Sequence, residues 1–254
     1  MDREAILKVE NVSKYFGGVH AVEDISFELY RGEVLGLVGD NGAGKSTLIK
    51  MIAGVLVPNR GNIYWHGRRL VDTSPKEVRE LGIETIYQDL ALADNLGVSA
   101  NLFLGREMTR KLFGLVEILN QREMEREARE ALKRLEIEIE SMQTPVRDLS
   151  GGQRQSVAVG RALYWQARLL IMDEPTAALG VKERNNILRL IERLRGEEVS
   201  VILISHNLSD IFAVTDRIVV MRRGIKVCEL ITAETSEAEV VGLMIGSEDR
   251  TKSG

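Results

Sequence analysis

EVLGLVGDNGAGKST, residues 33–47, starts as an apolar run and breaks into glycines before a Lys-Ser-Thr triplet. The apolar run predicts a strand buried on both faces, the habit of a central strand in a parallel sheet. STLIKMIAG, 46–54, then takes up helical spacing and closes at Gly54. Between strand and helix the chain satisfies the pattern Gly-x-x-x-x-Gly-Lys-Ser in full. In that context the glycines let several backbone N–H groups converge on one anion, and the lysine adds a cation. The candidate anion-binding residues are Gly39, Asn41, Gly42, Ala43, Gly44, Lys45, Ser46 and Thr47. An ordinary glycine-rich turn would explain neither the strand before the loop nor the Lys-Ser pair after it.

The rest of the chain fits around this unit. Residues 5–11 and 24–30 alternate apolar and polar side chains, as half-buried strands do. VPNRGNIYWHGRRL, 57–70, reads as a hairpin, and IETIYQ, 83–88, as a strand ending at Gln88. From 89 the texture becomes helical and charged. QREMEREAREALKRLE, 121–136, sets Glu125 against Arg129 and Glu130 against Arg134 at i,i+4, the mark of a solvated helix face. RQSVAVGRALYW, 154–165, is a helix, ARLLIMDEP, 167–175, a second buried strand, and KERNNILRLIERLR, 182–195, an amphipathic helix. VSVILISHN, 199–207, is a third buried strand, and 217–230 reads as two short strands around Gly224. The tail beyond about 235 reads as a short helix and a frayed polar end. Strands alternating with helices predict a mostly parallel α/β core.

Composition sets bounds. The chain has 254 residues, 44% hydrophobic and 28% charged, with a net charge of −4. That charge argues against a surface that coats nucleic acid. Cys228 is the sole cysteine, so no intrachain disulfide forms and a reducing compartment fits. No apolar run approaches the ~20 residues needed to span a bilayer. The expectation is a chain that does not itself cross a membrane but can dock onto a protein that does.

Polar residues gather at strand ends, where open α/β sheets bind ligands. Asp173 ends the strand LLIMD, where a carboxylate is costly without a cationic partner. Mg²⁺, through water, is the expected partner, with the Ser46 hydroxyl as a second ligand. Glu174 follows and is placed to orient or deprotonate an attacking water. Gln88 can reach the same Mg²⁺ and water, and His206 can donate to a terminal phosphate. The remaining histidines, His20 and His66, have no such company. Tyr15 and Phe16 precede Gly17-Gly18 and offer a ring for an adenine to stack on.

DLSGGQRQ, 148–155, is a second glycine pair at a predicted helix start, without a lysine. Alone it lacks the charge to hold a nucleotide. As a lid over a phosphate held elsewhere it needs donors only, and Ser150, Gly151, Gly152 and Gln153 supply them. LSGGQ, 149–153, resembles the signature motif of the ATP-binding cassette family. The phosphate loop, Gln88, LSGGQ, the Asp173-Glu174-Pro175 triplet and His206 stand in that family's order, and the resemblance covers about 5 to 230.

The resemblance implies an α/β P-loop NTPase (RecA-like) core with an N-terminal antiparallel β subdomain and an inserted α-helical signature subdomain. It implies one domain over 5–235, the insertion at about 89–165, and a short tail over 236–254. It implies ATP and Mg²⁺ as ligands, with hydrolysis at Glu174, Gln88 and His206. Two copies would form a head-to-tail dimer in which each signature loop caps the other's ATP. The chain would sit peripherally at the cytoplasmic face of the cell membrane, on integral permease subunits served indirectly by a solute-binding protein. One departure stands out. The family usually places an aspartate at the fourth residue of the Ala177–Gly180 stretch, where this chain has Gly180. That puts coupling between the two sites in doubt. YQDLALADNLGVSANLFLGRE, 87–107, and DEPTAALGVKE, 173–183, are similar to the ATPases of bacterial monosaccharide importers of the ribose, xylose and fructose group. The competing readings are a cassette ATPase for another cargo (amino acid, lipid or export), a soluble cassette acting on DNA or ribosomes, and a non-hydrolysing structural cassette.

Overall fold

The computed structural model describes residues 4–112 and 115–247. They divide into two compact units, one of residues 4–85, 167–175 and 191–247, the other of 86–112, 115–166 and 176–190.

The first unit is built from sheets. Strands β1 (Ala5–Phe16) and β2 (Val19–Tyr30) form an antiparallel hairpin, with β4 (Arg60–Trp65) and β5 (Arg68–Leu70) completing a four-stranded sheet in the order β2-β1-β4-β5. The first two strands are longer than their alternation predicts. They run on to meet across Gly17-Gly18, with Phe16 opposite Val19. The register shifts along β1 interrupt the two-residue period, which hid this extension from the pattern.

The second sheet has six strands in the order β12-β11-β3-β10-β9-β6. These are β3 (Val34–Gly39), β6 (Ile83–Ile86), β9 (Leu169–Asp173), β10 (Ser200–Ile204), β11 (Arg217–Arg222) and β12 (Ile225–Ile231). Every residue of β3 and β10 is buried, as their unbroken apolar runs require. β3 pairs in parallel with both β10 and β11, and β10 pairs in parallel with β9. β6 stops at Ile86, two residues short of the expected end at Gln88. Helix α1 (Lys45–Ile52) follows β3, and its Leu48, Ile49 and Ile52 join the core shared with Leu35, Leu37 and Ile202. The helix α2 (Pro75–Glu80) starts at a full capping box, Ser74 with Glu77.

Among the described residues, two carboxylates sit deep in this unit, Glu33 and Asp210. Glu33 is 3% exposed and takes Arg217 Nε at 2.5 Å, while Arg217 Nη1 donates to Glu229 Oε1 at 2.7 Å and Nη2 to the Glu28 carbonyl at 2.6 Å. Burial works to lower the Arg217 pKa, but Glu33 and Glu229 prevail and hold it above the usual value.

The second unit is mainly helical: α3 (Val98–Leu102), α4 (Gln121–Arg134), α5 (Gly151–Tyr164) and the start of α6 (Val181–Gly196), which crosses into the first unit. Phe103, Leu102, Met124, Leu132 and Val157 form its core, and the Phe103 ring meets Tyr164 edge-on at 4.9 Å. Two features depart from expectation. A hairpin, β7 (Thr109–Leu112) and β8 (Val116–Leu119), lies inside the stretch read as helical. On α4 the charges converge on Arg126, which meets Glu123, Glu127 and Glu130, rather than on the pairs the spacing picked out. In the first unit α7 (Leu208–Val214) joins β10 to β11, and α8 (Glu237–Ile245) follows the last strand. The polar end expected after α8 lies outside the described residues.

Arg217→Met leaves the Glu33 carboxylate buried without its cationic partner, though it keeps the Tyr30 N–H. Chemical denaturation should find the variant about 3–5 kcal/mol less stable.

Candidate functional site

The sheet order creates the site. β3 lies between β11 and β10, and β9 lies beyond β10. In register, Ile204 stands level with Leu37 on one side and Asp173 on the other. Three C-terminal strand ends therefore share one edge: the loop after Gly39, the acids Asp173 and Glu174, and His206.

Two glycines show why the loop takes its shape. A methyl at Gly39 would stand 2.3 Å from the Met221 carbonyl of the neighbouring strand. Gly44 has φ +100, and a methyl there would stand 2.5 Å from the Ala21 carbonyl of the β1–β2 hairpin. A side chain at either place pushes the backbone away from its neighbours. Gly44 is also the N-cap of α1, with no side-chain cap and no acid in the first turn. The positive end of the helix dipole thus faces outward from the loop. Lys45 folds back and donates to the carbonyls of Gly39 at 2.5 Å and Asp40 at 3.0 Å. Burial pushes its ammonium below the usual lysine pKa, against the pull of Glu174, Asp173 and Asp40. Ser46 is exposed and Thr47 half-buried in the first turn of α1.

Glu174 is held in an unusual way. Its φ is +53, left-handed for a residue with a side chain. Its N–H donates to the Ile204 carbonyl at 2.9 Å. Its carboxylate takes the His206 N–H on Oε1 at 2.9 Å and lies 2.6 Å from His206 Nδ1 through Oε2. The Glu174 side chain is 19% exposed and that of His206 75%. Burial raises the Glu174 pKa, and His206 opposes the rise. Asp173 is raised by burial too, against Lys45 and Lys50. Among the described residues no group of three or more His, Cys, Asp or Glu side chains could cage a metal. The half-buried Asp173 carboxylate, which Lys45 already senses, and the exposed hydroxyl of Ser46 next to that lysine in sequence are oxygen donors that suit a hard cation whose other ligands are water and phosphate.

Of the aromatic pair, Tyr15 is already engaged. Its hydroxyl meets Glu23 Oε1 at 3.0 Å, and its ring lies 4.6 Å from that of His20. Phe16 is 48% exposed, with the Lys14 ammonium 5.6 Å from its ring centre. The hairpin that carries both is tied to the loop through Gly224, whose N–H donates to the Ala43 carbonyl and whose carbonyl accepts from Glu23 N–H.

The other expected residues belong to the helical unit. Gln88 is exposed there. Ser150 is the N-cap of α5, and Ser150 and Gln153 complete a capping box: Ser150 Oγ accepts from Gln153 N–H at 3.3 Å, and Gln153 Oε1 from Ser150 N–H at 3.0 Å. With Oγ used as an acceptor, the hydroxyl proton can still donate. Gly151 and Gly152 form the first turn of α5, which carries no acid. Sequence reasoning missed what packs on them: a methyl at Gly151 would stand 2.8 Å from Leu179 Cδ2, and one at Gly152 2.8 Å from Cβ and Cγ of Glu183. The available signal was a glutamate three residues after Gly180, the spacing of an N-terminal helix cap.

An acid whose folded pKa lies above its unfolded value contributes stability in full below the unfolded pKa, and that contribution fades as pH rises through the folded one. At neutral pH the ionised Asp173 therefore works against the fold when no ligand is bound. Asp173→Asn should melt a few degrees above wild type without nucleotide at neutral pH. The gap should close as the pH falls into the carboxylate range.

Comparison with known proteins completes the picture. The sequence profile of the ABC transporter family matches residues 22–177. The chain is 44% identical over 239 residues to the xylose/arabinose import ATP-binding protein of Sulfolobus acidocaldarius, covering 94% of this chain and 93% of that one. It is 41% identical over 254 residues to the fructose import ATP-binding protein of Rhizobium meliloti, at 98% and 97% coverage. A ribose import ATP-binding protein of Rubrobacter xylanophilus is 42% identical, but this chain spans only 47% of its length. Among solved structures, a nucleotide-free ATP-binding cassette from an ABC transporter matches with a TM-score of 0.81 at 28% identity, covering 95% of this chain and 96% of that one. A dimeric post-hydrolysis cassette bound to ADP and Pi matches with a TM-score of 0.74 at 26% identity, covering 89% and 98%. A phosphate loop on a parallel sheet, a helical unit that opens α5 with LSGGQ, and relatives matched along nearly their whole length lead to one conclusion: the chain belongs to the ABC transporter family.

Proposed function

We propose that this chain is the ATP-hydrolysing subunit of an ABC importer, driving uptake of a monosaccharide through a membrane permease. The observation that carries the chemistry is the Glu174–His206 contact at the sheet edge that also holds the phosphate loop. Support for the sugar comes from the relatives, whose names give xylose or arabinose, fructose and ribose.

The residues take the following roles. Phe16 stacks on the adenine, and Tyr15 braces the hairpin beneath it. The N–H groups from Gly39 to Thr47 wrap the phosphates. Lys45 leaves its two carbonyl partners for the β- and γ-phosphates, trading neutral hydrogen bonds for charge-assisted ones. Ser46 and Asp173 would hold Mg²⁺, with Gln88 as the further ligand the family resemblance implies, and the ion would neutralise charge growing on the phosphate oxygens. Glu174 orients the attacking water and takes its proton, a contribution worth roughly 10²–10⁴ in rate. Burial makes that carboxylate a stronger proton acceptor than an exposed one, and His206 opposes part of the effect. His206 holds that carboxylate in place and faces the terminal phosphate.

Ser150–Gln153 cap the terminal phosphate of ATP bound to a second copy, so two copies close head to tail around two nucleotides. Loss of the terminal phosphate removes the bridge, and the dimer opens. The segment after Gln88 meets the permease at the cytoplasmic face of the membrane. Among the described residues no helix is long and apolar enough to cross a membrane, so the attachment is through that partner.

Glu174→Gln should retain ATP binding and lose phosphate release by ~10²-fold or more. Wild-type turnover in that variant contradicts the assignment. The same variant, tagged and purified with ATP and Mg²⁺ from solubilised membranes of its host, should bring down a multi-spanning permease. The solute-binding protein that serves that permease should then bind a monosaccharide. Recovery of the chain with no membrane partner would contradict the transport reading.

A further inference from the structure

We infer that Glu183 is a positioning residue for the signature loop and supplies the carboxylate that position 180 lacks. The inference rests on the reading that Ser150–Gln153 cap a phosphate.

The stem of Glu183 lies on the first turn of α5. A methyl at Gly152 would stand 2.8 Å from its Cβ and Cγ and 3.5 Å from its Cα. Its head points elsewhere. Oε2 lies 2.7 Å from the place a Cβ at residue 180 would occupy, and Cδ lies 3.7 Å from it. Glu183 thus spans from the signature glycines to the backbone of Gly180. Leu179 adds a second contact, its Cδ2 packed on Gly151. Ala178, with φ +59, bends the backbone so that both side chains turn to the same helix end.

Gly180 accepts from the Arg184 N–H at 2.9 Å, so it caps α6 and Glu183 is that helix's third residue. A carboxylate in the first turn is favoured by the helix dipole, and a third-position glutamate naturally folds back toward the cap. This is how an acid one turn along comes to stand where a residue-180 side chain would begin. The Glu183 carboxylate stands where a side chain at 180 would begin, and a Cβ there would need only the flexible end of Glu183 to swing aside. In this chain the acid beside Gly180 comes from residue 183.

The consequence concerns the N–H groups of Gly151 and Gly152. Their position is set by the stretch 178–183, which follows Glu174-Pro175 directly in sequence. Glu183 therefore fixes the phosphate cap relative to the chain that leaves the acid pair. Its loss should lower turnover rather than nucleotide affinity at the phosphate loop.

The test compares full-length wild type with Glu183→Gln, Glu183→Ala and the double variant Gly180→Asp/Glu183→Ala. The readouts are kcat, KM for ATP, the Hill coefficient and the melting temperature. Glu183→Ala should lose about tenfold in kcat, the scale of a small misplacement at a reacting centre, with KM and melting temperature near wild type. Glu183→Gln keeps the stem and should also lose kcat, because the charge is gone. The double variant should recover most of the loss and the wild-type Hill coefficient. If Glu183→Ala does not fold, Glu183→Gln alone decides the matter. Wild-type kcat in Glu183→Gln, or a double variant no better than Glu183→Gln, would overturn the inference. Failure of wild type itself to hydrolyse ATP would instead overturn the reading beneath it.

Discussion

Two carboxylates held half-buried at the C-terminal edge of an apolar sheet are the feature on which the site depends. Asp173 ends a strand whose other residues are buried, Glu174 follows it, and burial raises the pKa of both. Such charges are costly without cations close by. The fold provides Lys45 from the neighbouring loop and His206 from the neighbouring strand, and each offsets part of the cost. The strand order is what makes this possible. With β10 between β3 and β9, lysine, acids and histidine reach the same edge from three strands.

The left-handed backbone at Glu174 belongs to the same logic. A non-glycine residue in that region costs on the order of 1–3 kcal/mol, and such costs gather at functional positions. Here the turn directs the side chain back toward His206, and the hydrogen bond from Glu174 N–H to the Ile204 carbonyl holds the turn. The result is a carboxylate held in one place, and in the proposed role a carboxylate so held saves reorganisation at the moment of reaction. Lys45 is pre-placed in the same way, but on carbonyls it can give up.

Much of this was readable from residue patterns, and the reasons differ by element. β3, β9 and β10 announced themselves as apolar runs, since a strand buried on both faces has no polar alternation to confuse the reading. The loop from Gly39 to Ser46 was readable because its shape demands particular residues. The β1–β2 hairpin was underestimated because register shifts break the two-residue period. The β7–β8 hairpin was missed because its short strands lie between charged helical segments and leave Leu115, Val116 and Leu119 exposed, with no buried face to set a pattern. Tyr15 and Phe16 could not be ranked from sequence, because the difference lies in Glu23 and His20, which the hairpin folds onto Tyr15 alone. Gly180 looked like a loss because the compensating acid stands three residues away, a neighbour only once the helix is formed.

The central claim is that phosphate loop and signature loop act together across two copies of the chain. It is tested most directly by mixing two inactive variants. One carries Lys45→Ala and keeps its signature loop. The other carries Ser150→Arg at an exposed position and keeps its phosphate loop. A mixed dimer then holds one intact composite site. ATP turnover that is absent from each variant alone and returns on mixing is the result this account predicts. Full turnover by the Ser150→Arg chain on its own, or a mixture as inactive as its parts, would contradict it.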